Sequence, residues 1–160
     1  MSPSLRDAVL IVEDVDHKYE DVISALRDMA DRPREFVRAR TVVEAADLVK
    51  QSRWRLLVLD ISMDIAPGSG GTLREGHANL GGLDILEQMY LLEREMPTVI
   101  VTGFDYFVRA YSEDEIGDSH TLQDLEKQAR AWIGNYLLGC VRYGSPNWAD
   151  RLRELLGEVL

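Results

Sequence analysis

Three acidic side chains close two short apolar runs, and the chemistry of this chain starts there. Ala8-Val9-Leu10-Ile11-Val12 runs into Glu13-Asp14, and Leu56-Leu57-Val58-Leu59 runs into Asp60. Both runs are short, aliphatic and without alternation, the pattern of strands buried on both faces of a parallel sheet. In an open α/β sheet, ligands bind beyond the carboxyl ends of the strands. Carboxylates placed there on neighbouring strands converge on one small volume, where they repel one another unless a cation lies between them. Oxygen-only ligation favours a hard divalent ion, most naturally Mg²⁺. The plainer alternative is a set of solvated strand-end acids; two independent strands ending the same way argue against it.

The elements that must position these acids follow from periodicity. Asp16 to Ala30 carries Val22, Ile23, Leu26 and Met29 at helical spacing. Glu35 to Arg40 alternates weakly and reads as an edge strand. Thr41-Val42-Val43-Glu44 is a capping box opening a helix to about Gln51. Gly82 to about Glu95 is helical, with Leu83, Leu86, Met89 and Tyr90 inward and Pro97 as the stop. Thr98 to Thr102 is a further buried strand that delivers a hydroxyl, Thr102, to the same edge. Thr121 to Ile133 reads as a helix and Tyr136 to Tyr143 as a last strand. Ser145-Pro146 then predicts an N-cap and first turn of a helix reaching the end of the sequence, with Trp148, Leu152, Leu155, Leu156 and Val159 on its packing side. Alternating strands and helices joined by right-handed crossovers give a doubly wound parallel sheet. The flavodoxin-like strand order 2-1-3-4-5, with helices on both faces, gathers Glu13, Asp14, Asp60 and Thr102 at one edge.

Two stretches interrupt this pattern: a Gly-rich insertion at about 64–81 and an acidic, extended loop at about 104–120. At 160 residues the whole reads as one domain. A net charge of −10 argues against nonspecific nucleic-acid binding and against docking on an anionic membrane. No apolar stretch approaches the roughly 20 residues that span a bilayer, and the first residues lack signal-peptide shape. The single Cys140 forms no internal disulfide, which fits a reducing cytoplasm. His17, His77 and His120 lack metal-ligand spacing, and Gly68 to Gly71 lacks a P-loop ending. Trp132 and Trp148 have core spacing. Tyr106 and Phe107 read as a switch aromatic or as anchors of the long loop.

These residues together resemble the receiver domain of two-component response regulators. Val9 to Asp14 is similar to the family's first strand and acidic pair, and Leu56 to Met63 to the strand bearing the phosphoacceptor aspartate. Gly82-Leu83-Asp84-Ile85-Leu86 resembles the start of the third helix. Val99-Ile100-Val101-Thr102-Gly103 resembles the fourth strand and its switch hydroxyl. The resemblance implies that Asp60 accepts a phosphoryl group, that Thr102 is the switch hydroxyl, and that Glu13, Asp14, Asp60 and the backbone carbonyl of Ser62 hold Mg²⁺. The implied donor is a histidine kinase or phosphotransfer protein. The implied output is a downstream protein or self-association through the face of the fourth helix, fifth strand and fifth helix. The chain would then be a signalling module rather than an enzyme.

The chain departs from the family where a lysine usually ends the fifth strand. Its only lysines are Lys18, Lys50 and Lys127, and that place is filled by Val141-Arg142-Tyr143-Gly144-Ser145. Asp64 stands where receivers usually carry proline. The Gly-rich insertion, the long loop after the fourth strand and Arg142-Tyr143-Gly144-Ser145-Pro146-Asn147-Trp148 resemble a divergent group of stand-alone receivers. Arg142 is the expected stand-in cation and Lys18 a second candidate; on strict alternation only one of Arg142 and Tyr143 faces the site. Two other readings remain: a phosphorylation-independent pseudo-receiver used as an interaction module, and a Mg²⁺-dependent phosphohydrolase suggested by Asp14-Val15-Asp16.

Overall fold

The computed structural model describes residues 7–63, 81–103 and 118–160. Five strands form one parallel sheet in the order β2-β1-β3-β4-β5, with β1 Val9–Val12, β2 Phe36–Ala39, β3 Leu56–Leu59, β4 Thr98–Thr102 and β5 Leu137–Arg142. Between and after them run α1 Asp16–Met29, α2 Val42–Gln51, α3 Gly81–Leu91, α4 Asp118–Ile133 and α5 Trp148–Leu156. This is the expected flavodoxin-like order. β1, β3 and β4 are buried along their whole length, which is why β1 and β3 are aliphatic throughout and β4 is aliphatic between its two threonines.

Alternation along the strands divides the core into two layers. Leu10, Val12, Leu57, Leu59, Ile100 and Cys140 face α2, α3 and α4. Val9, Ile11, Leu56, Val58, Val99, Val101 and Val141 face α1 and α5. The register pairs Val12 with Leu59, so Glu13 and Asp60 leave adjacent strands at the same level.

A bulge in β5 sets which residues face which layer. Thr98 pairs with Leu137 but Val99 with Gly139, leaving Leu138 extra. The following residues change sides, and Tyr143 packs with the α1–α5 layer. Gly139 has φ +154, and a Cβ there would lie 2.8 Å from Leu155 Cδ1, so only glycine lets α5 close on the strand.

Several boundaries differ from the sequence expectations. α3 stops at Leu91, not near Glu95. Glu93 takes φ 53, its N–H donates to the Tyr90 carbonyl, and Arg94 N–H donates to Met89. That is a Schellman stop made without glycine. α4 begins at Asp118, so the expected loop through His120 is shorter at this end, and Gly81 belongs to α3. Ser145-Pro146 does not cap α5: Ser145 Oγ donates to the Arg142 carbonyl at 2.7 Å, and the helix starts at Trp148 and ends at Leu156. Glu44 completes its capping box one residue early, accepting from Arg40 N–H rather than Thr41, while Thr41 Oγ1 accepts from Glu44 N–H at 3.1 Å. The insertion over 64–80, the loop over 104–117 with Tyr106 and Phe107, and His77 lie outside the described residues.

Candidate functional site

The carboxyl ends of β1, β3 and β4 build the site. Glu13 and Asp60 are 2% and 4% exposed, while Asp14 beside them is open to solvent. One carboxylate oxygen from each of Glu13, Asp14 and Asp60 lies within 4.8 Å of the others. Thr102, fully buried at the end of β4, donates from Oγ1 to Asp60 Oδ1 at 3.2 Å. The sheet thus brings all four strand-end residues together.

Asp60 is held from three directions. Ser62 donates twice, its amide to Oδ1 at 3.0 Å and its hydroxyl to the carboxylate at 2.9–3.0 Å. The sequence reading assigned Ser62 only through its backbone carbonyl and missed this grip. The third contact is a cation. Lys18, in the first turn of α1 and 5% exposed, sets its Nζ 2.7 Å from Glu13 Oε2 and 3.3 Å from Asp60 Oδ2. Arg142 lies on β5, register partner of Thr102. Tyr143, on the other side of β5, lays its ring 5.7 Å from Lys18 Nζ, donates its hydroxyl to Asp21, and packs edge-on against Trp148.

Two further residues shape the site without an obvious sequence signal. Arg38, on the edge strand, donates from Nε to the Glu13 carbonyl at 3.0 Å, and its guanidinium lies 4.2 Å from the Tyr19 ring. It fixes the turn that carries Glu13 and Asp14. Gly82 starts α3 hard against the acceptor loop: a Cβ there would lie 2.6 Å from the Asp60 carbonyl oxygen and 2.5 Å from Ile61 Cα. The glycine pair at a helix start was the available clue.

The electrostatics are unbalanced toward negative charge. Burial, reinforced by the neighbouring Asp60 charge, pushes Glu13 up to about 7; Lys18 and the Val15 amide, which donates to Glu13 Oε1, offset this in part. Among the described residues, three carboxylates gather here around one ammonium. An all-oxygen donor set this tight, with a surplus of negative charge, fits a hard divalent ion. Asp16 takes no part: hydrogen bonding to Arg38 and the charges of Arg40 and Arg38 hold its carboxyl below the usual range. His17 is exposed. Cys140 is buried and in no disulfide, and burial pushes its thiol pKa up. Among the described residues, no helix is long and apolar enough to cross a membrane.

No family model and no curated protein matches the chain. Solved structures do. The response regulator TrrA from Thermotoga maritima, in complex with Mg²⁺-BeF, superposes with a TM-score of 0.59 at 19% identity, covering 96% of this chain and 99% of that one. A response regulator receiver domain from Clostridium thermocellum gives 0.58 at 16% identity, over 95% and 92%. The receiver domain of a Francisella response regulator gives 0.58 at 14%, over 96% and 95%. The chain has the fold of response regulator receiver domains.

Proposed function

We propose that this chain is a two-component receiver that accepts a phosphoryl group on Asp60. The observation that carries the reading is the state of that carboxylate: buried, gripped by Ser62 and Thr102, and set beside the two acids that follow β1. An Asp60 oxygen attacks the phosphorus of a phosphohistidine or small acyl phosphate. A new O–P bond forms, the donor's bond to phosphorus breaks, and its electron pair leaves with the donor, giving an aspartyl phosphate. Ser62 and Thr102 fix the attacking carboxylate, and positioning of this kind is most of what phosphoryl transfer asks of a protein. Glu13, Asp14, Asp60 and the Ser62 carbonyl would hold Mg²⁺, which would neutralise charge on the transferred oxygens. Thr102 would follow the phosphoryl group and carry the change into the segment after β4.

The donor in this reading is a histidine kinase or phosphotransfer protein. Output passes to a downstream protein or through self-association, and the chain works in the cytoplasm as a signalling module with no turnover of its own beyond slow self-dephosphorylation. The test is incubation with acetyl phosphate and Mg²⁺ followed by intact-protein mass spectrometry. One phosphoryl mass is expected on the wild type and none on Asp60→Asn. A wild type that never labels overturns the reading.

One observation favours the pseudo-receiver as the second reading. Lys18 already bridges Glu13 and Asp60, so part of the acidic charge is neutralised from within. An interaction module of this kind would show no Mg²⁺ heat in calorimetry and no labelling.

A further inference from the structure

The cation that touches the site's acids is the second candidate of the sequence, Lys18 on α1. Lys18 stands on the first turn of α1, where the helix dipole disfavours a positive charge. It is also buried, which disfavours a charge further unless it is paired. Both costs are offset chiefly by the acids it touches, Glu13 at 2.7 Å and Asp60 at 3.3 Å. Its surroundings fix its aim. The Tyr143 ring covers the ammonium from the β5 side, and the Tyr143 hydroxyl is tied to Asp21, three residues further along α1. Trp148 backs the ring at 5.2 Å. The ammonium is therefore shut away from water, seated on Glu13 Oε2 and within reach of Asp60 Oδ2. That oxygen is also the less engaged one, because Oδ1 receives the Ser62 amide and Thr102.

We propose that Lys18 is the phosphoryl-binding cation of this chain, shares the Glu13–Asp60 gap with the divalent ion, and is positioned by Tyr143. The inference rests on the acceptor reading of Asp60. In the resting chain the ammonium bridges the two carboxylates. A divalent ion held by Glu13, Asp14 and Asp60 meets that ammonium as a like charge and as a competitor for Glu13 and Asp60 oxygens. Once Asp60 carries a phosphoryl group, its own charge is replaced by that of the phosphoryl oxygens, and Lys18 is the cation already within reach. The two cations thus oppose each other before phosphorylation and act together after it.

This opposition gives the test two arms with opposite signs. Wild type, Lys18→Met and Lys18→Arg are titrated with Mg²⁺ alone by calorimetry, then with beryllofluoride in saturating Mg²⁺ by fluorine NMR. Lys18→Met is expected to bind Mg²⁺ several-fold more tightly. The same variant is expected to bind beryllofluoride about 10- to 100-fold more weakly, the range for a lost hydrogen bond to a charged group. Lys18→Arg keeps the charge and restores part of the beryllofluoride affinity. Tighter Mg²⁺ binding on removal reports the shared gap, and a merely structural lysine would leave beryllofluoride affinity unchanged. Unchanged beryllofluoride affinity in Lys18→Met, or Mg²⁺ affinity that fails to rise, overturns the proposal while leaving Asp60 as acceptor. A wild type that takes no beryllofluoride overturns the acceptor reading, and this inference with it. Lys18→Gln replaces Lys18→Met if the latter does not fold by circular dichroism.

Discussion

The two ends of the same sheet carry ion clusters of opposite balance. At the amino ends of the strands, Asp7 receives Arg32 and Arg34 at 2.6 Å and Arg55 at 3.6 Å, and Arg34 also reaches Asp31 at 3.1 Å. Arg55 Nε further donates to the Val159 carbonyl at 2.7 Å, tying the segment after α5 to the start of β3. Cations outnumber acids here, and the acids are at least half in water or close to it. At the carboxyl ends, among the described residues, the cluster of Glu13, Asp14 and Asp60 shares one ammonium, and Glu13, Asp60 and Lys18 are all buried. The first arrangement closes a structure. The second is left short of positive charge, as a site that must accept a cation and then a phosphoryl group would be.

The largest expected effect lies at the amino end. Arg34 has a side chain only 1% exposed, held between two acids. Arg34→Met removes both pairs and should cost about 2–3 kcal/mol in urea unfolding, below the full cost of breaking a buried pair because the stranded acids remain partly hydrated. Mg²⁺ affinity should not change. If this variant weakens Mg²⁺ binding as strongly as it weakens the fold, the two clusters are one system and the contrast fails.

A somewhat smaller effect separates the ends by pH. Glu13 holds its proton up to about 7 in the folded chain against an ordinary 4.5. An acid whose folded pKa is raised favours folding below its unfolded pKa and loses that contribution as pH climbs through the folded one. Metal-free protein should therefore lose on the order of 2 kcal/mol between about pH 5 and pH 8. Glu13→Gln should flatten that slope. Mg²⁺ at a hundredfold its dissociation constant should add about 2.7 kcal/mol, and most of it above pH 7, where Glu13 is ionised. Chelator-treated protein melted across this range checks all three; a slope that survives Glu13→Gln assigns it to another group.

What the sequence made legible follows the same division. Short aliphatic runs set between helical segments read as strands covered on both faces, so β1, β3 and β4 were readable, the strand–helix alternation pointed to the sheet order, and register then brings Glu13 next to Asp60. The edge strand β2 was readable only weakly, because its residues are half-buried. Helix ends were less visible where the stop used Glu93 in the left-handed region rather than glycine. The cation was the least legible part. Whether Tyr143 faces Lys18 depends on the extra residue Leu138 in β5, and periodicity assumes no such insertion. Three residues with clear local roles, Ser62, Arg38 and Gly82, act through distances that no spacing rule encodes.

The smallest effect asks whether Thr102 belongs to the fold or to the site. Its side chain is fully buried, and its hydroxyl donates to Asp60 Oδ1, an oxygen that also receives the Ser62 amide. Thr102→Val keeps the shape and removes the donor. Asp60 retains Ser62 and Lys18, so no charge is stranded, and the cost to stability should be only about 1 kcal/mol. Backbone pairing is untouched, since Tyr143 N–H donates to the Thr102 carbonyl and not to its side chain. Mg²⁺ affinity should change little, because Asp60 keeps the Ser62 amide and hydroxyl as donors while Glu13 and Asp14 lose nothing. Beryllofluoride affinity should nonetheless fall several-fold, since a donor aimed at Asp60 is lost just where the new oxygens arrive. A variant that loses stability and beryllofluoride binding in equal measure would make Thr102 a structural partner of Asp60, as Arg34 is of Asp7 at the other end of the sheet.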